Sequence, residues 1–174
     1  MQSSTSSDYL FKNDYNNLFD YDTNNDSLLH NNKTLISKSR IEFYNIFWEI
    51  LHLITFIYPV SPTHFHKIQI EFLFDYMKNG GIPCSTCTIH FREFLKQYDL
   101  HDICNNRYNF KKFMIDLHNY VNKRLSKKIY SYLEVEQLYS NISERCEYLL
   151  LHKNINIYKL LENDEIYTFI DKIK

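Results

Sequence analysis

From about residue 39 onward, apolar side chains recur at steps of three and four. Ile41, Tyr44, Phe47, Trp48, Leu51, Thr55 and Tyr58 predict an amphipathic helix from about Ser39 that ends before Pro59. In the loop after Tyr58, Ser61 can cap a helix and Pro62 suits its first position. Phe65, Ile68, Phe72, Leu73 and Tyr76 mark a second helix to about Lys78, stopped by Asn79-Gly80-Gly81. Phe91, Phe94, Leu95 and Tyr98 carry a third helix to about Asp99. A loop containing Cys104 and Asn105-Asn106 follows. A fourth helix starts near Tyr108, with Phe110, Phe113, Met114, Leu117, Val121 and Leu125 as its stripe. Beyond Asn141, the residues Ile142, Leu149, Leu150, Ile155, Leu160, Leu161, Phe169 and Ile170 predict one or two more helices. The pattern is all-α, with a flexible polar tail over 1–38, a main domain over 39–140 and a helical extension over 141–174.

Composition supports that pattern. The chain has 174 residues, of which 44% are hydrophobic and 17% aromatic, enough for a core. Only 2 Gly and 3 Pro occur, which disfavours hairpin-rich β structure. A net charge of −1 gives no reason to expect nucleic acid or an anionic membrane as partner. No apolar run reaches the roughly 18 residues of a membrane span. The first residues lack an apolar core for a secretory signal, so the protein is not expected to be secreted.

The stretch Gly81-Ile82-Pro83-Cys84-Ser85-Thr86-Cys87-Thr88-Ile89-His90-Phe91 carries the candidate chemistry. A proline after a breaker suits a helix start, so Cys84 and Cys87 are expected in the first turn of the third helix. Unpaired amides and the positive end of the dipole there favour a thiolate, the reactive form of cysteine. A lone C-x-x-C is also compatible with zinc. Cys84, Cys87 and His90 with Cys104 or His101 make the competing ligand set, read as a zinc-binding interaction module. A thioredoxin-like domain would need strands around the motif, and the pattern predicts none. Elsewhere, Trp48 and His52 share a helix face and could wall a planar ligand, or His52 could be an ordinary core histidine. His118 and Asn122, with Asn119 beside them, flank the fourth helix's stripe. Buried, they need partners, supplied by one another or by a polar cofactor. Lys123, Arg124, Lys127 and Lys128 form a basic cluster that suits the helix C-terminus, and equally a diphosphate.

Four segments then line up in order and spacing: Phe47-Trp48-Glu49-Ile50-Leu51-His52, Tyr58-Pro59, Pro83-Cys84-Ser85-Thr86-Cys87-Thr88-Ile89-His90-Phe91, and His118-Asn119-Tyr120-Val121-Asn122-Lys123-Arg124-Leu125-Ser126-Lys127. Together they resemble the Erv/ALR family of FAD-linked sulfhydryl oxidases over about residues 40–140. The resemblance implies a four-helix bundle plus a short fifth helix, binding FAD beside a redox-active Cys84–Cys87 pair, with no metal. It implies Trp48, His52 and Tyr58 from the first helix, and His118, Asn119 and Asn122 from the fourth, as FAD contacts. Lys127 would approach the phosphates, His90 would lie near the flavin, and Tyr139 would replace the family's adenine-packing Trp. The implied reaction transfers electrons from a protein dithiol, through the cysteine pair and FAD, to O2, giving hydrogen peroxide. Cys84 would exchange with substrate, and Cys87 would lie nearer the flavin.

This chain departs from the cellular members. They carry a second cysteine pair at positions that here read Ile115 and Tyr132, and often a shuttle C-x-x-C in a tail. The losses resemble the compact oxidases of large DNA viruses. The expected substrate is then a small thioredoxin-like or viral C-x-x-C protein, in the host cytoplasm or the virion. For a cellular protein the mitochondrial intermembrane space is the second choice. A homodimer through the first two helices is also expected. Phe43, Ile46, Ile50, Leu53, Ile54 and Ile57, with Ile70 and Phe74, make a second apolar face that needs burial. The alternative cover for that face is the segment after Asn141, folded back.

Overall fold

The computed structural model describes residues 32–82, 84–157 and 159, with side chains from Phe43 onward. Its described elements are all helical: α1 (Asn32–Ile57), α2 (His64–Tyr76), a π-helical turn (Met77–Gly81), α3 (Ser85–Leu95), α4 (Leu100–Cys104), α5 (Arg107–Arg124), α6 (Tyr132–Leu138) and α7 (Ile142–Lys153). The all-α expectation is met. The boundary between two compact units falls inside α1, after Glu49, and the second unit runs from Ile50.

Local chemistry explains where the elements begin. Helix α1 starts at Asn32, earlier than the apolar spacing indicated, so residues 32–38 are helical rather than tail. Polar residues continue a helix at little cost once an apolar stripe has nucleated it. The rest of the expected tail lies outside the described residues. Helix α2 is capped by Thr63 rather than Ser61. The Thr63 hydroxyl accepts from the His66 amide while the His66 ring accepts from the Thr63 amide. This reciprocal capping box outweighs the proline signal one residue earlier. The segment expected as a loop around Cys104 contains α4, whose first turn is capped by the Asp99 carboxylate. Asn106 caps α5, and Ser131 with Glu134 forms a capping box on α6.

The core of the second unit is largely aromatic. Phe74 of α2 meets Phe91 of α3 at 5.9 Å and Phe113 of α5 at 5.1 Å between ring centroids. Phe94 of α3 meets Phe113 and Tyr120 of α5 at 5.6 and 5.0 Å. Such offset and edge contacts contribute beyond the buried area itself. They fix α3, the cysteine-bearing helix, against α2 and α5. At the end of α1, the Tyr58 hydroxyl donates to the Cys104 carbonyl at 2.9 Å, and Arg107 Nε donates to the Tyr58 carbonyl. Burial raises the Tyr58 pKa and pushes the Cys104 thiol up to about 12.

Most of the second apolar face in the second unit is buried. Ile50, Leu53, Ile54, Ile70 and Phe74 are all buried, and Phe43, Ile46 and Ile57 are half-buried. Packing of these residues therefore does not demand a partner, because one chain already removes them from water. On α2, exposed apolar surface remains at Phe65 and Phe72.

Between α2 and α3 the chain turns through the π-helical segment, where Gly80 has φ of 100°. Gly81 is required for a different reason. A Cβ on it would lie 2.0 Å from the Tyr76 ring and 2.7 Å from the Tyr76 carbonyl oxygen. Overpacking of this kind typically costs about 1–3 kcal/mol. Gly81→Ala is therefore expected to lower the unfolding free energy by that amount, read as a lower denaturation midpoint with helix content retained; an unchanged midpoint would mean the turn relaxes freely.

Candidate active site

Cys84 and Cys87 form a disulfide with Cα atoms 5.2 Å apart. As the sequence predicted, both sit at the start of a helix. Cys84 is the N-cap of α3, and its sulfur accepts from the Cys87 amide at 3.1 Å. Both cysteines are half-buried, and Ser85 and Thr86 between them are exposed, so the pair lies at the surface within reach of another molecule. A sulfur at this position faces the unpaired amides and positive dipole end of α3, which stabilise negative charge. Behind the pair, Arg92 Nε donates to the Lys78 carbonyl at 2.6 Å, tying α3 to the π-helical turn.

A second group of side chains is drawn together by α1, α5 and the end of α6. His52 Nε2 and His118 Nδ1 lie 2.8 Å apart in a buried hydrogen bond. Tyr139, just past the end of α6, packs its ring 5.2 Å from His52 and 5.1 Å from Phe56. From α7, Arg145 sets its guanidinium over the Tyr139 ring at 4.7 Å, with Nε donating to the Leu138 carbonyl at 3.0 Å. Burial, and then the Arg145 charge, lower the His52 pKa to about 3. Burial lowers His118 well below its usual value too, helped by His52 and by Lys127. Two neutral imidazoles are therefore flanked by two cations, an arrangement suited to a polar, anionic, planar ligand.

The remaining expected residues have distinct placements. Asn119 is committed to the α5–α6 connection: its amide donates to the Tyr130 carbonyl at 2.8 Å and accepts from the Tyr130 amide at 3.0 Å. That connection carries Lys127, whose backbone amide donates to the Asn122 carbonyl at 2.8 Å. Asn122 is buried, and its Nδ2 has no hydrogen-bond partner within the protein; the same is true of His90 Nδ1 and Thr88 Oγ1 on α3. The Tyr58 ring packs against Phe110 at 5.2 Å, with its hydroxyl held by Cys104. Trp48 belongs to the first unit, buried and edge-on to Phe47 at 6.4 Å.

The zinc alternative is not supported. Cys84 and Cys87 are bonded to each other, Cys104 is a fully buried free thiol, and among the described residues no three His, Cys, Asp or Glu gather as metal ligands. Where the cellular second cysteine pair is absent, Ile115 is buried and the neighbouring Asp116 accepts from the Tyr132 hydroxyl at 2.5 Å. Sequence reasoning missed Arg145. The available signal was its spacing: it shares a helix face with Ile142 and Leu149, three before and four after.

The chain is similar to known proteins over its central part. The chain is 36% identical over 90 residues to a protein of Invertebrate iridescent virus 6 named putative FAD-linked sulfhydryl oxidase, covering 48% of this chain and 78% of that one. It is 32% identical over 104 residues to the FAD-linked sulfhydryl oxidase of an African swine fever virus isolate from Kenya, covering 59% and 84%. A probable FAD-linked sulfhydryl oxidase of Acanthamoeba polyphaga mimivirus is 33% identical over 88 residues, but the match spans only 61% of that protein and 50% of this chain. No solved structure matches. The Erv1/Alr family model matches residues 45–140, which take in the helix-capping cysteine pair, the paired histidines and Tyr139, and the chain belongs to that family.

Proposed function

We propose that the protein is an FAD-dependent sulfhydryl oxidase that forms disulfides in protein dithiols at the expense of O2. The observation that carries this reading is a surface C-x-x-C disulfide capping a helix, inside the segment that matches the family. The side chains fit the cofactor. Asn122 Nδ2 and His90 Nδ1 are buried polar atoms without a protein partner, a costly state that a polar ligand relieves. His52, His118 and Tyr139 supply a cluster of mutually tilted rings, and Lys127 supplies positive charge for a diphosphate. Trp48, Tyr58 and Asn119 join this set by resemblance, Asn119 through its hold on the connection bearing Lys127.

In the proposed reaction, a substrate thiolate attacks Cys84, the Cys84–Cys87 bond breaks, and Cys87 leaves as a thiolate. The second substrate thiol, deprotonated, attacks the substrate sulfur of the mixed disulfide and displaces Cys84. The amide that Cys87 directs at Cys84 Sγ stabilises this leaving thiolate, because a hydrogen bond to an anionic acceptor is charge-assisted. FAD held by these residues would supply the two-electron redox chemistry that links the reduced cysteine pair to O2. Overall, two thiols and one O2 give one disulfide and one hydrogen peroxide. The substrate class is a small thioredoxin-like or viral C-x-x-C protein. The proposed place of action is the host cytoplasm or virion; no helix among the described residues is long and apolar enough to cross a membrane.

The purified protein should be yellow and should consume oxygen with a dithiol. Cys84→Ser and Cys87→Ser should each abolish turnover while FAD stays bound; normal oxygen uptake by either variant removes the pair from the reaction. Acid should act through the histidines. Both have folded pKa values below the ordinary 6.5, so the unfolded chain binds more protons between the two values. Their contribution to stability is complete above pH 6.5 and is lost as pH falls from there towards the folded values. Unfolding midpoints measured from pH 8 to 4 should therefore drop below pH 6.5, and His118→Asn should flatten that drop. A homodimer through α1 and α2, with Phe65 and Phe72 in the contact, completes the proposal. Sedimentation at micromolar concentration should give twice the chain mass, and a monomer there would remove the dimer.

A further inference from the structure

We propose that Arg145, which lies beyond the segment matched by the family, is a positioning residue of the cofactor site: its guanidinium clamps the Tyr139 ring against His52 and makes the two a single rigid wall. The proposal rests on the FAD reading above. Three observations converge on it. Arg145 is only 7% exposed, and burying a guanidinium is costly unless its charge and donors are used. Its Nε donates to the carbonyl of Leu138, the last residue of α6, where the negative end of that helix receives a cation. Its Cζ stands 4.7 Å over the centroid of Tyr139, whose ring is in turn 5.2 Å from His52. With the His52–His118 hydrogen bond, the contacts form one continuous series: Arg145, Tyr139, His52, His118.

Each contact has a separate physical effect. Stacking adds to the hold on the Tyr139 ring, which also packs on Phe56 and follows a short seven-residue helix. Charge reaches His52 and favours its neutral form, the state in which it shares a hydrogen bond with His118. The carbonyl bond fixes the angle at which α7 leaves α6. The thiol exchange steps use none of these contacts, so loss of Arg145 should act on retention of the cofactor and leave the cysteine pair intact. The extension then belongs to the site, although the family match ends at residue 140.

The test compares Arg145→Met, Arg145→Lys and Leu149→Ala in the full-length holoprotein. Leu149 is buried on the same helix, so its truncation loosens α7 while the arginine remains. FAD release is followed after dilution by recovery of flavin fluorescence, beside the melting temperature of each variant. Arg145→Met is expected to release FAD about tenfold faster, within the range of a desolvated cation–aromatic contact. Arg145→Lys should restore release to within about threefold of the parent protein, since an ammonium still stacks on tyrosine. The pH at which acid drives FAD off should rise in Arg145→Met and stay put in Leu149→Ala. The proposal is overturned by release from Arg145→Met within twofold of the parent, by no rescue with lysine, or by release rates in all three variants that simply follow melting temperature. Arg145→Gln replaces the methionine variant under the same criteria if that variant does not fold. A parent protein that carries no FAD fails the functional reading itself, a result distinct from any of these.

Discussion

The His52–His118 hydrogen bond is the constraint on which the inner site depends. One imidazole nitrogen donates to another across 2.8 Å, which requires that the two rings not both be protonated. Helices α1 and α5 meet at this bond, and the Tyr139 ring lies beside it. Burial secures the neutral state first, and the nearby cations secure it further. An enclosed, neutral, hydrogen-bonded pair with positive charge at its edges is well matched to a ligand that joins an aromatic heterocycle to a diphosphate. The same charges oppose protonation, so the site excludes a proton by the means that would hold the ligand.

Much of this was legible in the chain. The apolar steps through Phe47, Leu51, Phe110 and Phe113 gave the helices, and Gly81-Ile82-Pro83-Cys84 gave the start of α3. Side-chain chemistry decided what spacing could not. Helix α4 has five residues, too few for a periodic stripe, and depends on the Asp99 cap. The start of α2 was set by a histidine acting in a capping box where glutamate or glutamine is the usual partner. Five of the apolar positions assigned to a dimer face, Ile50, Leu53, Ile54, Ile70 and Phe74, are buried in one chain, because a residue's distance round a helix says that it must be covered and not by what. Arg145 was missed because a cation in an apolar register reads as an interruption until its aromatic and carbonyl partners are seen.

With Ile115 and Tyr132 in place of cysteines, polar contacts join the start of α6 to α5. Tyr132 and Asp116 tie the start of α6 to α5 by a hydrogen bond, with Tyr98 also donating to Asp116 at 3.4 Å and Lys112 pairing with it. At the start of α6, Glu134 both caps and pairs with Lys128. These exposed contacts are individually weak. Collectively they hold the short helix that precedes Tyr139.

Cys104 and Cys146 acquire their meaning from where they are. Each is buried, and the Cys104 thiol is pushed up to about 12, so it is almost wholly un-ionised at neutral pH. Thiolates, not thiols, attack disulfides. In a protein whose proposed work is the exchange of sulfur bonds, the buried, un-ionised Cys104 thiol stays chemically silent. Isomerisation towards a bridge with Cys104 has almost no thiolate at that sulfur to start it, and burial shields both spare thiols, so an alkylating reagent applied to the folded, reduced protein would count the working pair.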